Sequence, residues 1–387
     1  METIKGLKAF KILNSRGDYT IQVDLWTKKH KVSASVPSGK SKGKYEAVEL
    51  SPDRAISNLE SIKSKLIGLN PLDRDEIDEL LIKLDGTPNK SVLGANTTLA
   101  VSIAVNKLSA AIKGKEVYEL LGGYKLPTPY MNLINGGLHA GNKLAFQEYL
   151  VIPQSSDFNR SLDMVVNIYH ALRELLIKRY GNSSVNVGDE GGFAPNLKLV
   201  EEPLILISKV IDKLGYSNVN LGLDCAANSF HKNGKYAVDN KLLSKEGLMK
   251  LYERLAYDYN LYSIEDPLIE DDFKGFAELR GRVKSRLVGD DLLVTNLERI
   301  NKAIDNNSCD SMILKPNQVG TILEARRAAE LAKANGINVI VSHRSGETND
   351  SFIADLAVGL NADIKAGAPC RGERLAKYNR LLEIFNQ

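Results

Sequence analysis

Several polar residues whose types could support catalysis each close a short apolar run. The runs read VNLGLD, LYSIED, RLVGDD, SMILK, INVIVSH and ADIK, and the polar residues are Asp224, Glu265, Asp290, Lys315, His343 and Lys365. The intervening stretches have about the length of one loop, one helix and one return loop. When parallel strands close into a barrel, their carboxyl ends converge on one face. The sequence therefore predicts that three carboxylates and two lysines share one pocket there.

The three carboxylates have the chemistry of a metal site. Asp224, Glu265 and Asp290 would supply hard oxygen ligands from neighbouring strands, which suits Mg²⁺. In SIEDP, Pro267 comes directly after the two acidic residues and ends the strand there. Glu265 is therefore expected at a rim. The alternative is that each acid caps the following helix, the more common role of a single acid at a strand end. Three acids at barrel spacing favour the metal.

The lysines are suited either to proton abstraction or to ion pairing. Lys315 ends SMILK, where burial and a neighbouring cation would depress the pKa of an ammonium group and make it a base. The alternative is a lysine that forms salt bridges with the surrounding acids. Lys365 raises the same question, and as a fixed positive charge it would hold an anionic substrate.

Two loops carry groups for an anion and for acid–base chemistry. VSHRSGETND places His343, Arg344 and Ser345 together, a set that could grip phosphate, although an isolated HRS triplet is more typical of an exposed loop. NVGDEGGFAP carries Asp189 and Glu190 on a glycine-rich turn that pushes the acid into the open. This turn contains neither a dinucleotide-binding pattern nor a P-loop.

Two further glycine-rich loops carry polar residues. NGGLHAGNKLAFQEY contains His139, followed by Gln147 and Glu148. VPSGKSKG contains Ser38 and Ser41 and is suited either to a lid or to a surface hairpin turn. Glycine-rich loops such as NGGLHAG often move.

The elements that must position these residues fall into two regions. YTIQVDLWT and HKVSASV alternate apolar and polar residues and predict an antiparallel hairpin, and three segments with helical spacing follow. LGGYKLPTP combines a glycine pair with two prolines and marks the best boundary. We therefore expect an α+β domain over residues 1–126 and an α/β barrel domain over residues 127–387.

Composition and charge argue against several classes of function. The 387 residues carry 51 basic and 48 acidic side chains, a net charge of +3, which argues against a nucleic-acid partner. No stretch reaches the roughly 18 consecutive apolar residues of a membrane span, and METIKGLKAF lacks the apolar core of a signal peptide. Cys225, Cys309 and Cys370 form no CxxC pattern, so we expect reduced thiols and a cytoplasmic protein.

The order of the unusual strings resembles one family over essentially the whole chain. The strings SGKSKG, LDGT, LGAN, NGGLHAG, QEY, VGDEGGFAP, SIEDP, GDDLLVTN, KPNQVGT, SHRSGET and IKAGAP…RGERLAKYN closely resemble enolases. The resemblance implies a small α+β N-terminal domain followed by an enolase-type eight-stranded α/β (TIM-like) barrel. It also implies the reversible, Mg²⁺-dependent dehydration of 2-phospho-D-glycerate to phosphoenolpyruvate, a lyase step of glycolysis and gluconeogenesis.

The same resemblance implies a role for each matching position. Lys315 matches the base that removes the C2 proton, and Glu190 matches the acid that protonates the departing C3 hydroxyl. Two Mg²⁺ ions per active site are implied, the first on Asp224, Glu265 and Asp290 and the second on Ser41 with the substrate phosphate. The positions implied to surround the substrate are His139, Gln147, Glu148, His343, Arg344, Ser345 and Lys365.

The chain departs from the family pattern at its first loop and at its implied subunit contacts. The family usually has SGAST where this chain has Lys40 and Lys42, so we expect retained activity with altered metal or substrate affinity. Gln22 and Glu383 replace a glutamate and an arginine that meet between subunits in many enolases. We expect a homodimer, or a multiple of dimers, with a rearranged contact, located in the cytoplasm with a surface or secreted pool as an alternative.

Two other functions compete with this reading. One is a different enzyme of the same superfamily, which the intact SHRSGET and NGGLHAG strings disfavour. The other is a non-catalytic scaffold or binding protein that keeps the enolase fold, because a fold alone does not determine function. The presence of every implied catalytic position favours the enzyme.

Overall fold

The structure is a computed structural model that describes residues 2–40 and 43–387. Its first region contains β1 (Gly6–Leu13), β2 (Tyr19–Trp26), β3 (Lys31–Ser35), α1 (Pro52–Leu66), α2 (Arg74–Asp85), α3 (Ala95–Lys113) and α4 (Val117–Leu121). Strands β1, β2 and β3 form an antiparallel sheet in that order, which includes the predicted hairpin. The α+β character of this region is confirmed.

Helix α3 forms the centre of the first region. Its residues are buried on nearly every side because the segment is rich in alanine, valine and small polar residues, and it packs against β2 and β3. It ends at Gly114, whose φ of 61° lies in the left-handed region that a glycine adopts without strain. The helix thereby joins the small sheet to the rest of the molecule.

The second region is a barrel with an outer ring of helices. Its elements begin with β4 (Pro129–Asn135), β5 (Glu148–Pro153), α5 (Phe158–Tyr180), α6 (Glu202–Leu214), β6 (Val219–Asp224), and the short strands β7 (His231–Lys232), β8 (Lys235–Val238) and β9 (Lys241–Leu243). They continue with α7 (Lys245–Asp258), β10 (Ser263–Glu265), α8 (Phe273–Arg282), β11 (Arg286–Gly289), α9 (Leu297–Asn306), β12 (Ser311–Leu314), α10 (Ile322–Ala334), β13 (Asn338–Ser342), α11 (Phe352–Gly359), β14 (Asp363–Lys365) and α12 (Gly372–Phe385).

Eight strands close the barrel in the order β10, β11, β12, β13, β14, β4, β5, β6. Neighbouring strands are parallel except at β5, which runs antiparallel to both β4 and β6. The strands predicted from the polar residues at their ends, β6 and β10 to β14, are all parallel, and the reversed strand β5 is not one of them. The reversal places the amino end of β5 at the rim where the other strands finish, and Glu148, its first residue, lies opposite Asp224 in register.

The barrel interior is filled by apolar side chains below the polar rim. The interior cluster contains Tyr130, Leu150, Ile152, Val288, Ile313 and Ile340. Side chains two residues apart on a strand share a face, so Asp290 follows Val288 and Lys315 follows Ile313 on the inward side. The rim residues therefore lie at the end of the barrel axis, above a packed core.

Candidate active site

The structure brings the predicted residues together at one rim. A single pocket is lined by His139, Gln147, Glu148, Glu190, Asp224, Asp290, Lys315, His343, Arg344, Ser345 and Lys365. Glu265 contacts one of these residues, Lys365, which donates a hydrogen bond to it. Ser41, like Lys42, lies outside the described residues.

Lys365 lies at the centre of three buried carboxylates. Its Nζ is 2.9 Å from Asp224 Oδ2, 2.8 Å from Glu265 Oε1 and 3.1 Å from Glu148 Oε2. Burial alone would lower the pKa of Lys365, but the surrounding carboxylates raise it well above its ordinary value. Burial and the neighbouring Asp224 also raise the pKa of Glu265 well above its ordinary value. One ammonium group therefore leaves this acidic cluster short of positive charge.

Lys315, which follows β12, forms an ion pair with Asp290, which follows the neighbouring strand β11. Burial lowers the pKa of Lys315, but the adjacent Asp290 outweighs it and the pKa is raised. The expected depression of this pKa is therefore wrong, because sequence spacing did not show that Asp290 contacts the ammonium group. Gln318 Nε2 donates to Asp290 Oδ1 at 3.2 Å and fixes the carboxylate from the other side.

The helix-capping interpretation of the three acids fails. The helices that follow their strands are capped by Ser244, Asp272 and Asn296, whose side chains accept hydrogen bonds from the first turns. Asp224, Glu265 and Asp290 are instead buried and point inward. Asp224 and Glu265 meet at Lys365, whereas Asp290 has oxygens within 4.8 Å of those of Asp266 and Asp291. Hard carboxylate oxygens with too little positive charge suit a divalent cation.

Glu190 lies on the opposite side of the pocket, among nitrogen groups. Asn132 Nδ2 donates to Glu190 Oε2 at 3.1 Å, and Glu190 Oε1 is 3.2 Å from His139 Nδ1 and 3.6 Å from His343 Nε2. Burial raises the pKa of Glu190, but the two histidines and Arg374 lower it by more, so the pKa is well below its ordinary value. Glu190 is therefore ionised in the absence of substrate.

Glu148 and Glu190 form a pair of unlike carboxyl groups. Their oxygens and a nitrogen of His139 lie within 4.8 Å of one another. Burial, and next the charge of Glu190, raise the pKa of Glu148 well above its ordinary value. Two neighbouring buried carboxylates disfavour each other's ionisation, and of the two it is Glu148 whose pKa is raised.

Arg344 and Ser345 occupy the part of the rim suited to an anion. The HRS loop is buried, so its interpretation as an exposed loop is wrong. Arg344 Nη1 is 2.8 Å from Glu46 Oε2, and Ser345 Oγ accepts from Arg16 Nη1 at 3.0 Å. The backbone N–H of Lys40 also donates to Ser345 Oγ, at 2.9 Å. The N-terminal region therefore supplies one wall of the site.

The sequence interpretation gave no role to Asp266, which organises the rim. It adopts a φ of +40°, and its carboxylate accepts from the backbone N–H of Asp290 at 3.0 Å and of Asp291 at 2.7 Å. These bonds hold the loop that carries Asp290. The sequence signal was only its position after Glu265 in SIEDP.

Fold and rim together are those of an α/β-barrel enzyme with titratable side chains facing one another across one pocket. Family models match the chain over residues 4–121 as "Enolase, N-terminal domain" and over residues 123–387 as "Enolase, C-terminal TIM barrel domain". It is 46% identical to the enolase of Methanocaldococcus jannaschii and 46% identical to that of Methanosarcina barkeri, in each case over 98% of this chain and 94% of the relative. The chain belongs to the enolase family.

These matches confirm the predicted family, its hydro-lyase class and the fold of an α+β domain followed by a barrel. The family's metal-dependent catalysis agrees with the acidic groups at the rim. Among the helices of residues 2–40 and 43–387, none combines the length and apolar character that crossing a bilayer requires.

Proposed function

We propose that this protein catalyses the reversible dehydration of 2-phospho-D-glycerate to phosphoenolpyruvate in glycolysis and gluconeogenesis. The observation that carries the proposal is the placement of Lys315 and the Glu148–Glu190 pair on opposite sides of one pocket. Lys315 follows β12, and Glu148 begins β5, four strands away in either direction around the barrel. A substrate between them would meet a base on one face and an acid on the other.

Lys315 is the proposed base. It takes the proton from C2, and the electrons of the C2–H bond form the C2–C3 double bond. Its ion pair with Asp290 holds the nitrogen at the rim. Lys315 can act as a base only after its ammonium group has lost a proton. A weaker ion pair with Asp290 lowers the pKa of that ammonium group and favours this loss.

Glu190 is the proposed acid. It delivers a proton to the C3 hydroxyl, which leaves as water when the C3–O bond breaks. A bound substrate brings a phosphate and a carboxylate, and these negative charges raise the pKa of Glu190. Glu190 can then carry the proton that a general acid donates. The raised pKa of the neighbouring Glu148 favours a proton within this pair of carboxyl groups.

We propose that Asp224, Glu265 and Asp290 hold the first of two Mg²⁺ ions, and that Ser41 contributes to the second. When bound, the ions offset the negative charge that develops on the substrate carboxylate. Arg344 and Ser345 are proposed to bind the phosphate, and Lys365 the carboxylate. The other residues proposed to surround the substrate are His139, Gln147, Glu148 and His343.

We also propose a cytoplasmic homodimer. Free thiols at Cys225, Cys309 and Cys370 agree with a reducing compartment. Gln22 bonds Asp24 and Glu383 lies 3.4 Å from Arg380 within the chain, so these two residues are engaged locally. Light scattering on the purified protein measures the oligomeric state, and a monomer at micromolar concentration would contradict the dimer.

The catalytic proposal is tested by mixing the protein with 2-phosphoglycerate and Mg²⁺. We expect ultraviolet absorbance to grow as phosphoenolpyruvate forms, to stop when a chelator is added, and to be lost in Lys315→Ala. Lys250→Ala, on the exposed face of α7, is the matched control and should keep full activity. Failure of the wild type to form product with any divalent metal would contradict the proposal and favour a non-catalytic scaffold.

A further inference from the structure

Helix α12 inserts a fully buried arginine beneath the acid side of the pocket. Arg374 has 0% of its surface exposed. Its guanidinium donates to the backbone carbonyls of Arg344 at 2.7 Å, Ser345 at 2.8 Å and Asp189 at 3.0 Å. Arg374 therefore ties the loop that carries His343 to the loop that carries Glu190.

The same guanidinium also contacts a ring nitrogen of His343. Arg374 Nη1 lies 2.6 Å from His343 Nδ1. A guanidinium has five N–H donors and no acceptor, so Nδ1 has to accept this hydrogen bond through its lone pair. A proton on Nδ1 would place two donors face to face in a buried space.

The remaining proton of the neutral imidazole is then on Nε2. Nε2 is the nitrogen directed at Glu190, 3.6 Å from its Oε1. Burial lowers the pKa of His343 well below its ordinary value, and the charges of Arg374, Lys365 and Lys315 lower it further, against the opposing charge of Glu190. His343 therefore presents a neutral N–H donor to the acid side of the site.

We propose that Arg374 is a positioning residue that fixes His343 as its Nε2–H tautomer, so that an N–H donor faces Glu190 and the departing group. With the opposite tautomer, an Nε2 lone pair would face the carboxylate and repel it. The tautomer follows from the geometry alone, whereas its effect on rate rests on the proposed function.

The same helix offers a matched control. Lys377, three residues further along α12, is also 0% exposed, and its Nζ donates to Glu347 Oε2 at 2.7 Å and to the Thr348 carbonyl at 2.6 Å. Lys377→Met therefore removes a buried cation that lies on the same helix and contacts the same loop. It leaves the contacts of His343 unchanged. A general loss of packing would affect both variants alike.

The direct test is long-range ¹H–¹⁵N correlation spectroscopy of the histidine rings, in which protonated and unprotonated ring nitrogens resonate far apart. The chain has 5 histidines, and His343→Gln identifies the relevant signals. We expect wild-type His343 to remain the neutral Nε2–H form from about pH 8 to about pH 5.5, through the usual titration range of histidine. A wild-type Nδ1–H form, or a cationic ring at neutral pH, would overturn the proposal without any variant.

The variants test the role of the arginine. In Arg374→Met we expect His343 to lose its fixed tautomer and to show a population protonated on Nδ1, while Lys377→Met leaves the spectrum of His343 unchanged. Arg374→Lys keeps a donor and should retain the Nε2–H form at least in part. An unchanged tautomer of His343 in a folded Arg374→Met protein would overturn the proposal.

The kinetic readout separates this inference from the proposed function. We expect Arg374→Met to lower kcat about 10- to 100-fold with little change in KM, because the donor acts on the departing group. Lys377→Met should retain a kcat within about threefold of wild type. If wild type itself lacks activity, the proposed function fails while the tautomer result stands; if kcat falls equally in both variants, Arg374 has only a structural role.

Discussion

The rim and the junction between the two regions both bury carboxyl groups, and they stabilise them differently. At the rim, Asp224 and Glu265 contact Lys365, and Asp290 contacts Lys315. At the junction, the buried Asp78 of α2 accepts hydrogen bonds from Ser102 Oγ and from the backbone N–H of Leu323. Ser102 lies on α3 and Leu323 on the barrel helix α10, so Asp78 joins the two regions.

The charge state of the acids follows from these partners. Burial raises the pKa of Asp78 to about 7, because the two groups that contact it are neutral. The rim acids instead contact lysines, the buried Lys365 and the partly buried Lys315. The comparison shows that a buried acid is not by itself a functional site; convergence of several acids with cations distinguishes the rim from the junction.

The largest expected effect is the loss of the base. Lys315→Ala should lower kcat by at least about 10³-fold, since general base catalysis contributes up to about 10⁴-fold. It should still unfold in a cooperative thermal transition, at a lower temperature because Asp290 loses its ion-pair partner. Steady-state kinetics and thermal melts measure both. A fully active variant would show that the rim is not the catalytic site.

The acid side should show the next largest effect. Glu190→Gln keeps the shape and the hydrogen bond from Asn132 but cannot supply a proton, so we expect kcat to fall about 10²- to 10³-fold. Asp189→Asn, in the same loop and partly exposed, is the matched control and should change kcat by less than about threefold. Equal losses in the two variants would indicate a disturbed loop and not a lost acid.

Metal affinity should depend on the rim carboxylates. Asp290→Asn should raise the Mg²⁺ concentration for half-maximal binding at least tenfold, since even groups that only support a ligand are worth about 10- to 100-fold. Calorimetry without substrate measures this directly. Asp305→Asn, on the exposed side of α9, should bind Mg²⁺ as wild type does. Unaltered binding in Asp290→Asn would show that this carboxylate holds no metal.

The junction should respond to pH in stability and not in catalysis. Because the folded pKa of Asp78 is raised, the unfolded chain releases this proton at lower pH than the folded chain. Its contribution to stability is therefore complete below about pH 4 and is lost as pH rises to about 7. As the pH rises from 5 to 8, we expect the unfolding free energy of Asp78→Asn to increase by about 3 kcal/mol relative to that of the wild type.

Urea unfolding of the wild type and Asp78→Asn at both pH values checks this prediction. The variant should keep its kcat, because Asp78 touches no residue of the pocket. A difference in unfolding free energy that does not change with pH would show that Asp78 is ionised in the folded protein.

The smallest effect is expected at the first loop. Lys40 Nζ donates to the Leu138 carbonyl at 2.7 Å and lies 3.5 Å from Asp189, so it crosses the mouth of the pocket. Lys40→Ala should raise the KM for substrate about two- to fivefold with kcat unchanged, because a positive charge near the anion site is lost. Lys143→Ala removes an exposed lysine from the neighbouring loop and tests whether charge alone accounts for the change. Unchanged kinetics in Lys40→Ala would contradict the expected effect of the added lysine.

The sequence revealed the rim because strand ends are local features. Asp224, Asp290 and Lys315 each follow an apolar run, and alternation along a strand fixes the face on which each lies. The hairpin and the two-part architecture followed from similar local patterns. These features depend on neighbouring residues, so a single sequence is enough to predict them.

The remaining features depend on contacts between distant segments. The reversal of β5 changes no local pattern, and the raised pKa of Lys315 requires its contact with Asp290, 25 residues away. Arg374 belongs to the string RGERLAKYN, but only the packing of α12 shows that it reaches His343, 31 residues away. A sequence gives the type of such a residue and not its partner.

The most direct test of the central claim is exchange of the substrate's C2 proton with solvent, measured by NMR in D₂O. If base and acid lie on opposite sides, Glu190→Gln should still exchange the C2 proton while forming almost no phosphoenolpyruvate, and Lys315→Ala should do neither. Exchange at the wild-type rate in Lys315→Ala would contradict the account, because the proton would then be removed by another group.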